Sequence, residues 1–232
     1  IRIFMDGAFD MMYFGHMNAF RLARSLGTHL IVGVNSDESI TECKGAPLMN
    51  DDARITMVRA CKFVDQVVEN CPYIMSAEYL QWAIETYKID YVVHGDDPCI
   101  VDGRDVYESA KQAGKFRTIP RTTGVSTTDI VGRMLLLNKD HHLHEDASET
   151  EGDSPLLRRG SSRQFMVGQQ SKFLTTTRML RLFSANVVAP TKDMKIIYVD
   201  GAWDLFHPGH VATLKAAREV RKSRISCGTI VS

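Results

Sequence analysis

One sequence pattern occurs twice in this chain, once at its start and once near its end. Residues 3–24 read IFMDGAFDMMYFGHMNAFRLAR, and residues 197–218 read IYVDGAWDLFHPGHVATLKAAR. Each copy reads as an apolar strand, an Asp-Gly turn and a Gly-His step into a helix, which is typical of a phosphate-binding unit. The repetition therefore predicts two copies of a nucleotide-binding half.

The positions of the two copies predict the domain boundaries. We expect a first domain over 1–138, a polar linker over 139–193 with a helix near 165–183, and a second copy over 194–232. So short a second copy cannot bury a core of its own. We therefore expect an incomplete second domain and a chain that is a fragment of a longer protein.

Strand and helix patterns alternate through the first domain. The predicted strands are 1–5, 30–34, 64–68, 91–94 and 116–119, and the predicted helices are 16–26, 51–62, 77–87, 104–113 and one that begins after Ser126. This alternation predicts an α/β fold, a Rossmann-like doubly wound parallel sheet with helices on both faces. In such sheets ligands bind beyond the carboxyl ends of the strands.

Composition limits the partners. The 28 Lys and Arg residues balance 28 Asp and Glu residues, and no basic stripe predicts a nucleic-acid partner. No apolar run is long enough to predict a transmembrane segment. The five scattered cysteines predict reduced thiols rather than disulfides or a zinc site. We interpret His141, His142 and His144 as solvated residues, so no metal site is predicted.

Residues 10–16 form the first phosphate motif. Gly15 and His16 stand where a helix begins, and a helix N-terminus attracts anions through its unpaired N–H groups. Gly15 would let a phosphate approach the backbone, and a ring N–H of His16 would bind a phosphoryl oxygen. The second copy repeats both residues as Gly209 and His210, which favours a phosphate role over a helix cap alone.

Residues 121–129, RTTGVSTTD, form the second phosphate motif. An arginine, a glycine and several hydroxyls precede another predicted helix. Arg121 could clamp a polyphosphate through two parallel hydrogen bonds, and Ser126 and Thr127 could donate from hydroxyl and backbone groups. A capped helix alone would need neither the arginine nor so many hydroxyls.

Together, the Gly-His step on the first helix and the RTTGVSTTD segment resemble the cytidylyltransferase family. Its members join CTP to a phosphorylated alcohol and release pyrophosphate. The similarity covers nearly all of 1–138, including VDGRDVY and VVHGDD, and continues through the second copy to about Val220. The tandem copies resemble members that act on phosphoethanolamine. That resemblance implies CTP and phosphoethanolamine as substrates, Mg²⁺ entering with CTP, halves that pack as a pseudo-dimer, and a cytoplasmic location with peripheral attachment at the endoplasmic reticulum.

The resemblance also implies roles for individual residues. His16, Lys44 on a mobile loop, and Arg121 would contact the CTP phosphates and stabilise the transition state. Asp10 would support the site. The remaining nucleotide-binding positions implied by the resemblance are Gly7, Ala8, Tyr13, Gly15, Thr122, Gly124, Ser126 and Thr127.

One departure from the family pattern concerns Tyr13. The family motif has two histidines, and Tyr13 stands where the first is expected, whereas the second copy has both, His207 and His210. A phenol cannot carry imidazolium charge, and losing one transition-state donor costs about 10²–10³ in rate. The second copy in turn lacks its own arginine motif, so neither site matches the family pattern completely.

This departure keeps other readings open. One is a catalytically weak nucleotide-binding or regulatory protein. Another is a cytidylyltransferase for choline phosphate or glycerol 3-phosphate, which the tandem copies disfavour. A tRNA synthetase shares the H-x-G-H pattern, but the KMSKS-type loop is absent and the chain is short.

The acceptor site is predicted from two carboxylates and an aromatic ring. Asp96 and Asp97 follow the strand at 91–94 and could bind a primary ammonium, which presents three donors. Tyr107 is the aromatic side chain assigned to the substrate, while Trp82 is assigned to the core. Arg104 and Asp105 could equally begin a helix.

Overall fold

A computed structural model describes residues 1–101, 103–122, 130–132, 191–192 and 195–219. The predictions for Gly124, Ser126, Thr127, the linker histidines and the helix near 165–183 concern residues outside these ranges. The chain divides into two compact units, Ile1–Thr122 with Lys192–Ser232, and Thr123–Thr191. Everything described below belongs to the first unit.

The first unit is built on a sheet of five parallel strands. They are β1 (Arg2–Gly7), β2 (His29–Asn35), β3 (Gln66–Cys71), β4 (Tyr91–Gly95) and, after a small β5 (Ile100–Val101) and β6 (Arg104–Asp105) hairpin, β7 (Phe116–Ile119). The strand order is β3-β2-β1-β4-β7, and every neighbouring pair runs parallel. The order reverses beside β1, which is the hallmark of a doubly wound fold.

Six helices accompany these strands within residues 1–122 and 195–219. They are α1 (Phe14–Ser25), α2 (Asp37–Lys44), α3 (Asp51–Ala60), α4 (Ala77–Tyr87), α5 (Glu108–Gln112) and α6 (Pro208–Glu219). The predicted caps of α3 and α4 are confirmed, because the side chains of Asn50 and Ser76 accept hydrogen bonds from the N–H groups of Ala53 and Tyr79.

Alternation along the central strand separates two apolar cores. Ile3 and Met5 of β1 belong to a cluster that includes α1 and α3 residues, whereas Phe4 belongs to a cluster that includes residues of α4 and α5. Successive strand residues point to opposite faces, so a strand buried on both faces must be apolar throughout. The predicted Rossmann-like sheet with helices on both faces is confirmed.

Two local predictions were wrong. The segment 104–113 was predicted as one helix, but Arg104 and Asp105 form β6, and α5 begins at Glu108. Gly103 turns the hairpin at a φ of 75°, a conformation that ends a helix but suits a tight turn. Trp82 is 47% exposed rather than buried, and its ring contacts Tyr79 and Tyr87 on the same helix.

Helix α2 was not predicted at all. It has eight residues and buries one of them, Ile40, so it shows little apolar periodicity. Its start is fixed by the Ser36 side chain, which accepts a hydrogen bond from the N–H of Ser39. Helix α1 also begins earlier than expected, at Phe14, which makes His16 its third residue.

The second copy reproduces the turn of the first but not its strand. Phe9 and Met11 have φ values of 50° and 46°, and the matching Trp203 and Leu205 have values of 52° and 48°. Helix α6 corresponds to α1 in position. Residues 195–200 form no strand, because in the described part of the chain no neighbouring strand pairs with them, whereas β1 lies between two partners.

A buried arginine joins the segments at the carboxyl edge of the sheet. Arg54 of α3 has no exposed surface. Its Nε and Nη1 donate to the carbonyl oxygens of Met49 (3.1 Å) and Ala8 (2.6 Å). Its Nη2 lies 2.6–2.8 Å from oxygens of three residues near the starts of α2 and α3, Asn35, Asp37 and Asp51.

We expect Arg54→Met to destabilise the protein by about 3–5 kcal/mol, because it leaves carbonyl and carboxylate oxygens without their donor. Urea unfolding would measure the change in the free energy of unfolding. Arg59→Met is the matched control on the same helix, since Arg59 is half exposed and its ion pair with Glu69 lies at the surface. Equal losses for the two variants would contradict the structural role of Arg54.

Candidate active site

The candidate site lies where the strand order reverses. Gly7 ends β1 and Ala8 follows it, and Asp96 and Asp97 follow the end of the adjacent β4. In doubly wound sheets this crevice at the carboxyl ends of the strands is where ligands bind.

His16 is held as a neutral hydrogen-bond donor. Its Nδ1 accepts a hydrogen bond from the backbone N–H of Tyr13 at 3.3 Å, so the neutral ring carries its proton on Nε2. Burial lowers the pKa of His16 to about 4; the nearby Asp10 carboxylate opposes this, and the Lys44 ammonium adds to it. The second copy repeats the arrangement, with His210 Nδ1 3.1 Å from the N–H of His207.

Tyr13 packs its ring directly over Gly15. A Cβ atom on Gly15 would lie 2.4 Å from that ring, and a Cβ on Gly209 would lie 2.7 Å from the ring of His207. The glycine is therefore required by side-chain packing in both copies, in addition to the predicted approach of a phosphate. In the second copy, His207 Nδ1 also accepts the N–H of Gly209 at 3.0 Å.

Asp10 anchors the segment that follows α2. Its carboxylate accepts the backbone N–H groups of Leu48 at 2.7 Å and Met49 at 2.9 Å. These bonds join the turn after β1 to the segment between α2 and α3. Asp10 can therefore support the site by holding these two segments together.

Lys44 is the last residue of α2, rather than a loop residue as the family resemblance implied. Gly45 follows it at a φ of 96°, a conformation that ends the helix without strain only for glycine. The ammonium of Lys44 lies 5.1 Å from the centre of the Tyr73 ring. Its charge also contributes to lowering the pKa of His16.

Arg121 is paired with the carboxylates that were predicted to bind the acceptor. Its Nη1 lies 2.5 Å from Asp97 Oδ2, and its backbone N–H donates to Asp96 at 3.1 Å. Both members of the ion pair are more than half exposed. In this structure Asp97 therefore holds the guanidinium at the edge of the crevice, and Asp96 holds the backbone of the same residue.

An unpredicted residue, Asn18, joins the two phosphate motifs. Its side-chain amide donates to Thr122 Oγ1 at 2.9 Å, which connects α1 to the segment that follows β7. Thr122 is the neighbour of Arg121, so the helix of His16 and the start of the arginine motif meet at the same edge of the sheet. A polar residue on the otherwise apolar buried face of α1 was the sequence signal that could have found it.

Asp6 is a buried carboxylate at the end of β1. Only 4% of the residue is exposed. It accepts hydrogen bonds from the hydroxyl of Tyr107 at 3.1 Å and the amide of Asn35 at 3.4 Å. Burial raises the pKa of Asp6 to about 6, and these two bonds reduce the effect. Among the ion pairs of the described residues, none involves Asp6.

Tyr107 lies beneath the crevice rather than beside Asp96 and Asp97. Only 3% of it is exposed, and its ring packs against His94 with centroids 4.7 Å apart. Any contribution of Tyr107 to ligand binding therefore acts through Asp6, which its hydroxyl contacts.

The described carboxylates do not fit a protein-held metal ion. No group of three or more His, Cys, Asp or Glu side chains with suitable geometry occurs within the described ranges. Asp10 binds backbone N–H groups, Asp97 binds Arg121, and Asp6 is enclosed by neutral donors.

Helices long and apolar enough to span a membrane are absent from the described residues.

Comparison with known proteins places this architecture in a family. The family model described as cytidylyltransferase-like matches residues 4–133, more than half of the 232-residue chain. The chain belongs to the cytidylyltransferase-like family.

Individual relatives share much of the chain. An ethanolamine-phosphate cytidylyltransferase of Arabidopsis thaliana is 46% identical over 95% of this chain and 54% of its own length. One of Dictyostelium discoideum is 47% identical over 94% of this chain and 59% of its own length. A probable choline-phosphate cytidylyltransferase of Schizosaccharomyces pombe is 40% identical over 58% of this chain and 37% of its own length. The chain thus spans little more than half the length of the ethanolamine-phosphate relatives.

The raised pKa of Asp6 predicts a pH-dependent stability. The unfolded chain loses this proton near pH 3.8 and the folded protein near 6, so the stabilisation by the protonated form is complete below 3.8 and is lost as pH rises to 6. We expect the free energy of unfolding to fall by about 3 kcal/mol across this window relative to Asp6→Asn. Urea unfolding of both proteins at pH 4 and pH 7 measures it. Parallel pH profiles would contradict the prediction.

Proposed function

We propose that this chain carries the first catalytic site of an enzyme that transfers CMP from CTP to phosphoethanolamine. CDP-ethanolamine, a precursor for phosphatidylethanolamine synthesis, and pyrophosphate are the products. The observation that carries this proposal is the arrangement of His16, Lys44 and Arg121 at one sheet edge, in a family defined by this chemistry. Relatives named for ethanolamine phosphate match both copies of the repeat, whereas the choline-phosphate relative matches 58% of the chain.

The reaction is an in-line displacement. A phosphate oxygen of phosphoethanolamine forms a bond to the α-phosphorus of CTP, while the bond from that phosphorus to the bridging oxygen breaks. Pyrophosphate leaves with the electron pair. The attacking phosphate is already anionic, so no strong base is required, and catalysis consists of positioning and charge stabilisation.

Neutral and charged donors divide this work. The Nε2–H of His16 donates to a phosphate oxygen without the cost of burying an imidazolium. Lys44 supplies mobile positive charge from the end of α2. Arg121 exchanges Asp97 for the nucleotide phosphates, because a bidentate bond to a polyphosphate is stronger than an exposed ion pair.

The ammonium of the acceptor is assigned to Asp6. A buried carboxylate without an ion-pair partner gains most from a ligand cation, because its burial otherwise raises its free energy. Asp96 and Asp97 are exposed and already bind Arg121. Tyr107 would then orient the Asp6 carboxylate through its hydroxyl.

Three further elements belong to the same proposal. Mg²⁺ would enter with CTP and be held by its phosphates, where it would neutralise their charge. The protein would act in the cytoplasm, with peripheral attachment at the endoplasmic reticulum. The two halves would pack as a pseudo-dimer, which is supported by Val211 of α6, a buried member of the core that includes α3 residues.

A second candidate function is a nucleotide-binding protein with little turnover. Tyr13 favours this candidate. When the two copies are aligned, Tyr13 occupies the position of His207. The two candidates differ in whether an imidazole at position 13 restores turnover of CTP.

We expect Tyr13→His to raise kcat by about 10²–10³, because an imidazole with Nδ1 on the Gly15 N–H presents Nε2–H to the phosphates. Pyrophosphate release from CTP and phosphoethanolamine measures it, with Tyr13→Phe as the control that removes only the hydroxyl. Turnover absent in both the original chain and Tyr13→His, with CTP still bound, would favour the second candidate.

We expect Asp6→Asn to lower kcat/KM for phosphoethanolamine about 30- to 100-fold while leaving the CTP affinity unchanged, because only the acceptor carries an ammonium. Asp90→Asn makes the same change at the opposite edge of the sheet, where Asp90 accepts the N–H of Arg2. If both variants retained the original kcat/KM, the ammonium would bind elsewhere.

A further inference from the structure

Asn18 of α1 forms side-chain hydrogen bonds with an arginine of the same helix and with a threonine that follows β7. Only 9% of it is exposed. Arg21 Nε donates to Asn18 Oδ1 at 3.0 Å, and Asn18 Nδ2 donates to Thr122 Oγ1 at 2.9 Å. These two bonds form a chain from α1 to the segment that begins the second phosphate motif.

The chemistry of the three groups sets the direction of these bonds. A guanidinium can only donate, so the amide oxygen of Asn18 must face Arg21 and its NH₂ group must face Thr122. The Thr122 oxygen then acts as an acceptor toward Asn18. Its single proton must point to a different acceptor.

We propose that Asn18 is a positioning residue that fixes the Thr122 hydroxyl as a hydrogen-bond donor to a phosphate oxygen of the nucleotide. The inference rests on the proposed function, since it deepens the description of the same site. A hydroxyl oriented in advance loses less entropy on binding than one that rotates freely. A bond to an anionic oxygen is also stronger than one between neutral groups.

The second copy of the repeat lacks this chain of bonds. Ala212 stands at the position of Asn18, and Lys215 stands at the position of Arg21. An alanine can neither accept from the lysine nor donate to a threonine. Orientation of Thr122 is therefore a property of the first copy alone.

A simpler role for Asn18 would be to hold the end of β7 against α1. Asn18→Asp separates the two roles, because a carboxylate still accepts from Arg21 and also accepts the proton of the Thr122 hydroxyl. The connection between the segments is kept, but the hydroxyl now points inward. A purely structural role predicts unchanged nucleotide binding, whereas the proposed role predicts a loss.

The test is calorimetric titration of the full chain with CTP and, separately, with inorganic pyrophosphate. We expect Asn18→Asp to weaken both about tenfold or more. Gln66→Glu is the matched control, since Gln66 also accepts from an arginine, Arg2, but at the start of β3 on the opposite edge. It should bind both ligands like the original chain.

A double variant separates donor loss from simple charge repulsion. Thr122→Val removes the hydroxyl, and in that background Asn18→Asp should weaken CTP binding no further. A further loss of the original size in the double variant would overturn the inference, because it would reflect the added negative charge. So would CTP binding by Asn18→Asp equal to that of Gln66→Glu.

Two further outcomes are decisive. If Asn18→Asp does not fold, as judged by its melting temperature, Thr122→Ser and Thr122→Val replace it: Ser should retain CTP affinity and Val should lose it, and equal affinities would overturn the inference. If the original chain binds neither CTP nor pyrophosphate, the proposed function fails and this inference fails with it.

Discussion

The buried guanidinium of Arg54 is the interaction on which the site depends. It donates hydrogen bonds to the carbonyl oxygens of Ala8 after β1, Asn35 at the end of β2 and Met49 before α3. An uncompensated buried charge would be costly, so these oxygens and the two flanking carboxylates must remain in place. The turn that carries Asp10 and the segment that follows Lys44 are consequently fixed relative to each other before any ligand arrives.

Around Arg54, the titratable groups that burial favours in the neutral form lie inside the site, and the cationic side chains lie at its rim. Asp6 is buried and His16 is half-buried, and burial shifts both pKa values toward the neutral form. Lys44 and Arg121 are exposed at the rim. A triphosphate bound as proposed would thus meet exposed cations first and a neutral donor afterwards. This order suits a reaction whose charge must be stabilised without a strong base.

The sequence pattern was sufficient to predict the sheet, because the apolar runs that indicate strands are local and repeated. Apolar runs predicted all five parallel strands, and Asn50 and Ser76 predicted two helix starts from single residues. Contacts distant in sequence were not predictable in this way. Nothing near Asn18 indicates that its partner is Thr122, and nothing near Arg121 indicates that Asp97 would hold it. Helix α2 was missed because a helix that buries one side chain has almost no periodicity.

The turn keeps the same backbone conformation in the second copy as in the first. Trp203 and Leu205 adopt left-handed backbone conformations even though residues 195–200 form no strand before them. Short-range bonds suffice for this, since Asp204 accepts the N–H of Leu205 and His210 accepts that of His207. The turn is therefore a local unit that keeps its shape without a strand before it. Such a unit can be copied by duplication and keep its form before a surrounding sheet exists to support it.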